Sequence, residues 1–365
     1  MKNKIISFAI IFAFFFSLGF VYEFHYPRLK EWIRTQVYLQ SYDNLPALIE
    51  FRDLELSPFT LGVVIYDLEM KPKKGLETKT SGMKIKEIRI HASFLKLLLG
   101  RFEISSIEII EPVTSVIIRK TANSNPSRAK SFDYADLLQR LKDIPLDSIH
   151  IKKGLAYIRL DEFDQSLQVK DFDVSLDKQI TGFHFFLDIP NLKVKQRGVR
   201  ESLTFFSLVS DVQLTKDRIY LERLVVKRDD SFIAAKASMP PAINKESLYD
   251  TNLVASWNLQ LESVRDWVHT YHRRLNLPKI HGRTSGQVNL DRSNELLSSL
   301  KIKGQNLGIN QYNIGNVDVS GQLAENFLLL QRLELKNKSQ NIEITKSKMF
   351  LDKAKSFSAN LNLKA

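Results

Sequence analysis

The sequence predicts a mostly β protein: an N-terminal transmembrane helix followed by many short antiparallel strands with a few short helices. Three observations carry this. The chain opens with an uncharged run of about 18 residues, long enough to cross a bilayer. From about residue 47 onward the side chains alternate apolar and polar with period two. Pro, Gly, Asn and Lys clusters interrupt that alternation every 8–15 residues or so, giving roughly 18–20 strand-like segments.

The opening run is Ile5–Tyr22, without charge or proline. At about 1.5 Å per residue it reaches roughly 27 Å as a helix, the thickness of a hydrocarbon core. Lys2 and Lys4 hold the tail, residues 1–4, on the cytoplasmic side, and the body therefore points outward. Ser17 and Gly19 would suit a signal-peptidase site, but the apolar run continues through Phe20, Val21 and Tyr22, which favours an uncleaved anchor. Residues 23–46 read as a juxtamembrane helix with Leu29, Trp32, Ile33 and Val37 on one face. Arg28, Lys30 and Arg34 are available to headgroups there, and Tyr26 and Trp32 suit the membrane interface.

Residues 47–120 form a first β segment, containing Phe51–Leu56, Val63–Tyr66 and Ile85–Ile90. Thr121–Ser131 has loop composition and divides it from a second region, residues 132–365, of sheet repeats with short helices. In that region Phe172, Val174 and Leu176 point one way, while Asp171, Asp173, Ser175 and Asp177 point the other. Phe183, Phe185, Leu187 and Ile189 alternate likewise, as do Val317 and Val319 against Asn316, Asp318 and Ser320. Strands with one apolar and one polar face belong to antiparallel sheets wet on one side. Helical spacing is confined to Ser93–Leu99, Phe132–Lys142 (after a Ser131 cap) and Val264–Arg274. So few helices leave most of the apolar side uncovered. Either two sheets close as a sandwich or one sheet curls into a trough whose lining meets something apolar.

Composition narrows the function. With no cysteine among 365 residues, disulfide scaffolds, Cys-ligated metals and thiol catalysis are excluded. Mean hydropathy of −0.19 rules out a polytopic membrane protein. The 53 Lys and Arg against 41 Asp and Glu give a net charge of +12. These charges are interspersed, without a nucleic-acid-binding motif, so nucleic acid is not an expected partner. His269 and His272 sit an i,i+3 step apart beside Asp266, which is two ligands without a third, and a solvated helix face explains them. Ser285 lies in His281–Gly286, which does not match a nucleophile elbow and reads as a turn. No phosphate-binding glycine motif occurs. The expectation is a protein that is not an enzyme and has no cofactor.

Three stretches carry a family resemblance. Phe51–Met70 (FRDLELSPFTLGVVIYDLEM) is similar to the opening hairpin of the AsmA-like, TamB-like superfamily of Gram-negative envelope proteins. Lys84–Lys120 follows with a strand, a short SFLKLLLG turn, a second strand and a Glu-Pro before a third. Leu137–Asp161 resembles the family's next helix and hairpin, and His281–Leu335 its sheet repeats. The resemblance implies a single bacterial inner-membrane anchor and a periplasmic body built as an elongated, curled antiparallel sheet (a β-groove). It also implies a hydrophobic groove linked to phospholipid movement toward the outer membrane and to outer-membrane biogenesis. On this reading Phe172, Val174, Leu176, Phe183, Phe185, Leu187, Val317 and Val319 line the groove, and phospholipid acyl chains are the ligand. Roughly 18 strands at about 4.8 Å extend some 85 Å. A wider gap would require an outer-membrane assembly protein or self-association through an edge strand. The competing expectation is a structural or docking protein of an envelope assembly complex, its sheets packed dry, without lipid transfer.

Overall fold

A computed structural model describes residues 26–28, 30–43, 45, 47–57, 62–73, 82–93, 104–118, 134–143, 146–160, 165–196, 203–205, 207–241, 250–271, 278–290, 296–324, 327–338, 340–351, 357–360 and 363–364. The expected anchor Ile5–Tyr22, the apolar turn within residues 94–99 and the linker 121–131 lie outside the described residues. Among the described residues no helix is long and apolar enough to cross a membrane.

All 21 described strands join one sheet, curled but not closed. Its first row is split: β1 (Ala47–Glu50) and β2 (Asp53–Ser57) lie end to end along β3 (Gly62–Pro72). Next come β4 (Met83–Ala92), β5 (Ile104–Ile118), β6 (Ser148–Leu160) and β7 (Gln165–Gln179). The two halves of β7 meet different partners. Residues 173–179 pair with β8 (Gly182–Ile189) and residues 165–170 with β9 (Asn191–Gln196). Pro190 stands between these partners, where its missing N–H breaks the ladder. Short β10 (Leu203–Phe205) continues from β9, and β11 (Ser207–Thr215) from β8.

A meander of antiparallel neighbours completes the sheet. It runs through β12 (Ile219–Arg228), β13 (Ser231–Met239), β14 (Asn252–Gln260), β15 (Ile280–Leu290) and β16 (Leu296–Ile309). It ends with β17 (Tyr312–Ala324), β18 (Phe327–Lys336) and β19 (Asn341–Leu351), against which β20 (Phe357–Asn360) and β21 (Leu363–Lys364) both pair. About 17 rows at about 4.8 Å make the sheet on the order of 75–80 Å across.

One junction departs from the antiparallel expectation: β5 and β6 run parallel. A parallel pair needs a long crossover, and the 29 residues from 119 to 147 supply it, carrying a helix. That helix, α2 (Tyr134–Asp143), follows α1 (helical at 26–28 and 30–43) and precedes α3 (Leu261–Tyr271). Arg140 and Lys142 occupy the last turn of α2, where positive charge suits the helix dipole. The Glu262 carboxylate, in the first turn of α3, accepts the Gly282 backbone N–H at 2.9 Å. The sandwich alternative is not what forms, since every described strand belongs to the same sheet.

Buried apolar side chains are few among the described residues, and most of them gather under helices. Phe51, Leu54, Leu68 and Ile85 are buried where Ile33 and Val37 of α1 meet β1 to β5. Tyr134 and Leu138 of α2 are buried with Phe183, flanked by Leu141, Leu176, Leu214 and Ile219. Burying a side chain of that size contributes about 1.5–3 kcal/mol, so these clusters anchor the helices to the sheet. Trp32 is 60 % exposed and does not share the packed face of Ile33 and Val37, because it lies about 100° away around the helix from Ile33.

The helix also seals the first edge of the sheet. The Tyr26 hydroxyl donates to the Leu54 carbonyl at 2.6 Å and accepts from the Leu56 N–H at 3.3 Å. Arg34 donates to the Arg52 carbonyl, and the Ile49 N–H donates to the Ser41 hydroxyl at 3.1 Å. Lys30 pairs with Asp53. Edge backbone groups that would template another strand are thereby satisfied. Lys30, Arg34 and Tyr26, read from sequence as headgroup-facing or interfacial, thus engage the edge strand.

Candidate functional site

Cross-strand register puts the groove residues expected from sequence on one face. Val174 stands opposite Leu187, and Leu176 opposite Phe185. Directly opposed residues in neighbouring strands project from the same side, so the face can be followed strand by strand. From Leu187 it runs to Ser210, Leu224, Ala235 and Ala255. It continues through Val288, Leu300, Gly321 and Leu330. A neighbouring row passes from Ile189 through Leu208, Val226, Ile233 and Trp257. That row goes on through Gly286, Ile302, Val319, Leu333 and Ile344. Neither row carries a charge over roughly 40 Å. Val317, opposite Leu335, belongs to the same face.

Most of this face is half-buried. Phe172, Val174, Leu176, Phe185, Leu187, Val317 and Val319 all keep partial exposure. Ile233 at 47 % and Leu323 at 38 % are open to solvent. Phe183 is the exception at 3 %, because α2 covers it and its neighbour Leu176. The structure therefore brings the eight expected residues to one face but places Phe183 and Leu176 beneath a helix.

Register also explains how the face stays apolar through irregular strands. Asp67, Glu111, Lys153 and Asp171 each adopt a left-handed backbone with φ of 50–57°, at corresponding levels of β3, β5, β6 and β7. Each extra residue shifts the phase of its strand by one. The apolar set in β7 is thus Leu167 and Val169 before Asp171, and Phe172, Val174 and Leu176 after it, paired with Ile158, Ala156, Gly154, Ile151 and Ile149. Two large rings occupy the space beside glycines on the neighbouring strand. A Cβ at Gly154 would meet the Phe172 ring at 2.3 Å, and one at Gly286 the Trp257 ring at 2.3 Å. These glycines let aromatic surface line the face without filling it.

The opposite face is wet and heavily paired. Arg89 bridges Glu108 at 3.3 Å, Lys86 meets Glu111 at 2.8 Å, and Lys71 meets Glu50 at 2.7 Å. Lys152 also pairs with Glu108 and, helped by Arg89 and opposed by the cost of burial, holds its carboxyl below the usual range. Hydrogen bonding from Lys84 does the same for Glu69, and from Lys336 for Glu334. His184 lies 2.7 Å from Asp211, and His150 lies 3.2 Å from Asp177. Those imidazole–carboxylate contacts were not evident from sequence, since each joins residues on different strands. Among the described residues no group of three or more His, Asp or Glu is arranged to hold a metal. Ser285 is a strand residue of β15, opposite Asn258 and Lys303, not a turn residue. His269 falls on α3, and His272 lies outside the described residues.

No protein-family model matches the chain, and no curated protein matches it in sequence.

Proposed function

We propose that the protein binds phospholipid acyl chains along the apolar face of its sheet, as a membrane-anchored, AsmA-like conduit in the bacterial envelope. The observation that carries the reading is the pair of uncharged rows on one side of an open sheet, half-buried and with no second sheet against them among the described residues. Such a face in water calls for an apolar partner. Acyl chains gain about 0.8 kcal/mol per buried CH₂, on the order of 10 kcal/mol for a 16-carbon tail. Because successive rows offer similar surface, a tail can shift along them at little net cost. No bond is made or broken, so the reading needs no catalytic residue or cofactor. The anchor Ile5–Tyr22 holds the body at the inner membrane on its periplasmic side, with Trp32 exposed near that surface.

The docking-protein alternative draws on the dry cluster of Tyr134, Leu138 and Phe183. If that packing extended over the whole face, lipid would have no room. Native mass spectrometry of the full chain released from detergent separates the two. Phospholipid adducts are expected on the native protein and fewer on a Val174→Trp variant; a protein free of lipid in both forms would overturn the lipid reading.

A further inference from the structure

Five of the large apolar side chains left open to solvent fall close together in the chain: Trp32, Tyr38, Leu39, Tyr42 and Leu45. The first four lie on α1. At about 100° per residue, Trp32, Leu39 and Tyr42 share an arc of about 80°, which Tyr38 widens by about 40°. Tyr26, Lys30, Ile33, Val37 and Ser41 bond or pack to the sheet. They fill an arc of similar width centred on the opposite side of the helix. α1 is therefore apolar on two sides, and the sheet takes only one of them.

The outer side is open: Trp32 is 60 % exposed, Tyr42 58 % and Leu39 46 %. Thr35 falls within their arc, and its hydroxyl donates to the Glu31 carbonyl at 2.9 Å. Glu31, at the rim, pairs with Arg34 at 2.7 Å. The Lys73 ammonium lies 5.3 Å over the Tyr42 ring and donates to the Tyr42 carbonyl, which sets a cation beside the stripe. Bonds at Tyr26, Arg34 and Ser41 hold the helix along the first row of the sheet. They prevent α1 from rolling its outer side inward.

We propose that this outer stripe of α1 seats the protein on the lipid bilayer, with the helix lying in the headgroup region along the membrane plane. Proximity selects this occupant. Only residues 23–25 separate Tyr22, the end of the apolar run, from Tyr26, at most about 14 Å of extended chain. The inference rests on reading Ile5–Tyr22 as an anchor, because an anchor ending at the surface leaves α1 within reach of it. Trp and Tyr favour that depth, where the ring meets acyl chains and its N–H or hydroxyl meets headgroups. A lysine beside them suits anionic lipid. Seating α1 brings the first end of the sheet to the membrane and fixes which end of the apolar face a lipid reaches first.

The chain has no cysteine, so single nitroxide labels carry no background. The full chain is labelled in turn at Trp32→Cys, Leu39→Cys and Tyr42→Cys. Phe14→Cys in the apolar run and Lys301→Cys, exposed on the wet face opposite Gln287 and Ser320, serve as references. Power-saturation EPR in nanodiscs of phosphatidylethanolamine and phosphatidylglycerol reads access of lipid-soluble oxygen and of a water-soluble nickel chelate. The three α1 labels should gain oxygen access and lose nickel access relative to Lys301, at depths of about 5–10 Å into the headgroup–acyl boundary. Leu39→Glu with Tyr42→Glu, both at exposed positions, should return a label at Trp32 to the nickel access of Lys301 without shifting the urea midpoint. Nickel access at all three α1 labels equal to that at Lys301 overturns the proposal. Shielding from both reagents overturns it too, since that marks a protein partner. The label at Phe14 reports on the anchor separately. Oxygen access there with water-exposed α1 labels keeps the anchor and removes the seat, whereas nickel access there refutes the anchor reading on which the seat depends.

Discussion

Replacing Gly154 with Ala should force the Phe172 ring off its neighbour and out over the apolar face. The added Cβ would stand 2.3 Å from Cζ, 2.4 Å from Cε1 and 2.7 Å from Cε2 of the ring. Carbon atoms rest at about 3.5–4.0 Å, so the ring must retreat by roughly 1 Å or more. All three nearest atoms belong to that ring rather than to backbone, which makes side-chain movement the route of relief. Overpacking of this kind costs about 1–3 kcal/mol, partly offset by the 0.5–1 kcal/mol or so that Ala gains over Gly in a strand. Urea denaturation of four proteins reads the effect: native, Gly154→Ala, Phe172→Ala and the double variant. Once Phe172 is truncated, the Ala at 154 has nothing to displace. The two changes should therefore couple by at least about 1 kcal/mol, with the double variant more stable than the sum of the singles. Additivity within about 0.5 kcal/mol would refute the claim that this glycine exists to seat the ring.

Val174→Trp should leave urea stability within about 1 kcal/mol while reducing bound lipid, because a half-buried position on an open face has room for bulk; a loss of 1–3 kcal/mol would instead indicate a closed core. Tyr26→Phe should cost about 1–2 kcal/mol by removing the hydroxyl that bonds the Leu54 carbonyl and the Leu56 N–H, and faster amide exchange at Leu56 would register it. The carboxyls of Glu69, Glu108 and Glu334 are held below their ordinary 4.5. Their contribution is present above about pH 4.5 and is lost as pH falls through the lowered values, so acid unfolding should steepen below pH 4.5 or so, and less in Glu108→Gln. Joint replacement of His269, His272 and Ser285 by Ala should leave lipid binding intact; its loss in a folded variant would point to chemistry at that end of β15.

Much of the β content was legible because alternation is a direct imprint of the pleat. Phe172, Val174 and Leu176, and Phe185 and Leu187, were readable as one side of two strands, and the register sets them opposite each other. The switch of phase at Asp171 was not, since Asp is common in strand exteriors and nothing local marks a left-handed backbone. Without that switch Leu167 and Val169 appear to face the wrong way. The parallel junction of β5 and β6 was equally hidden, because pairing partners are set by the path of the crossover rather than by either strand's composition. The second helix was legible from the spacing of Tyr134, Leu138 and Leu141, but not that it lands on Phe183. Tyr26 looked interfacial because an aromatic with a hydroxyl suits both a headgroup region and a strand edge.

The most direct test of acyl-chain binding is site-specific photo-crosslinking in cells, with the probe placed in turn at Val174, Ile233 and Val319 on the apolar face and at Asp173 and Asp318 on the wet face. Phospholipid adducts are expected from the first three positions and none from the last two. Crosslinks from Val174, Ile233 and Val319 to protein alone, or equal lipid capture from both faces, would contradict acyl-chain binding.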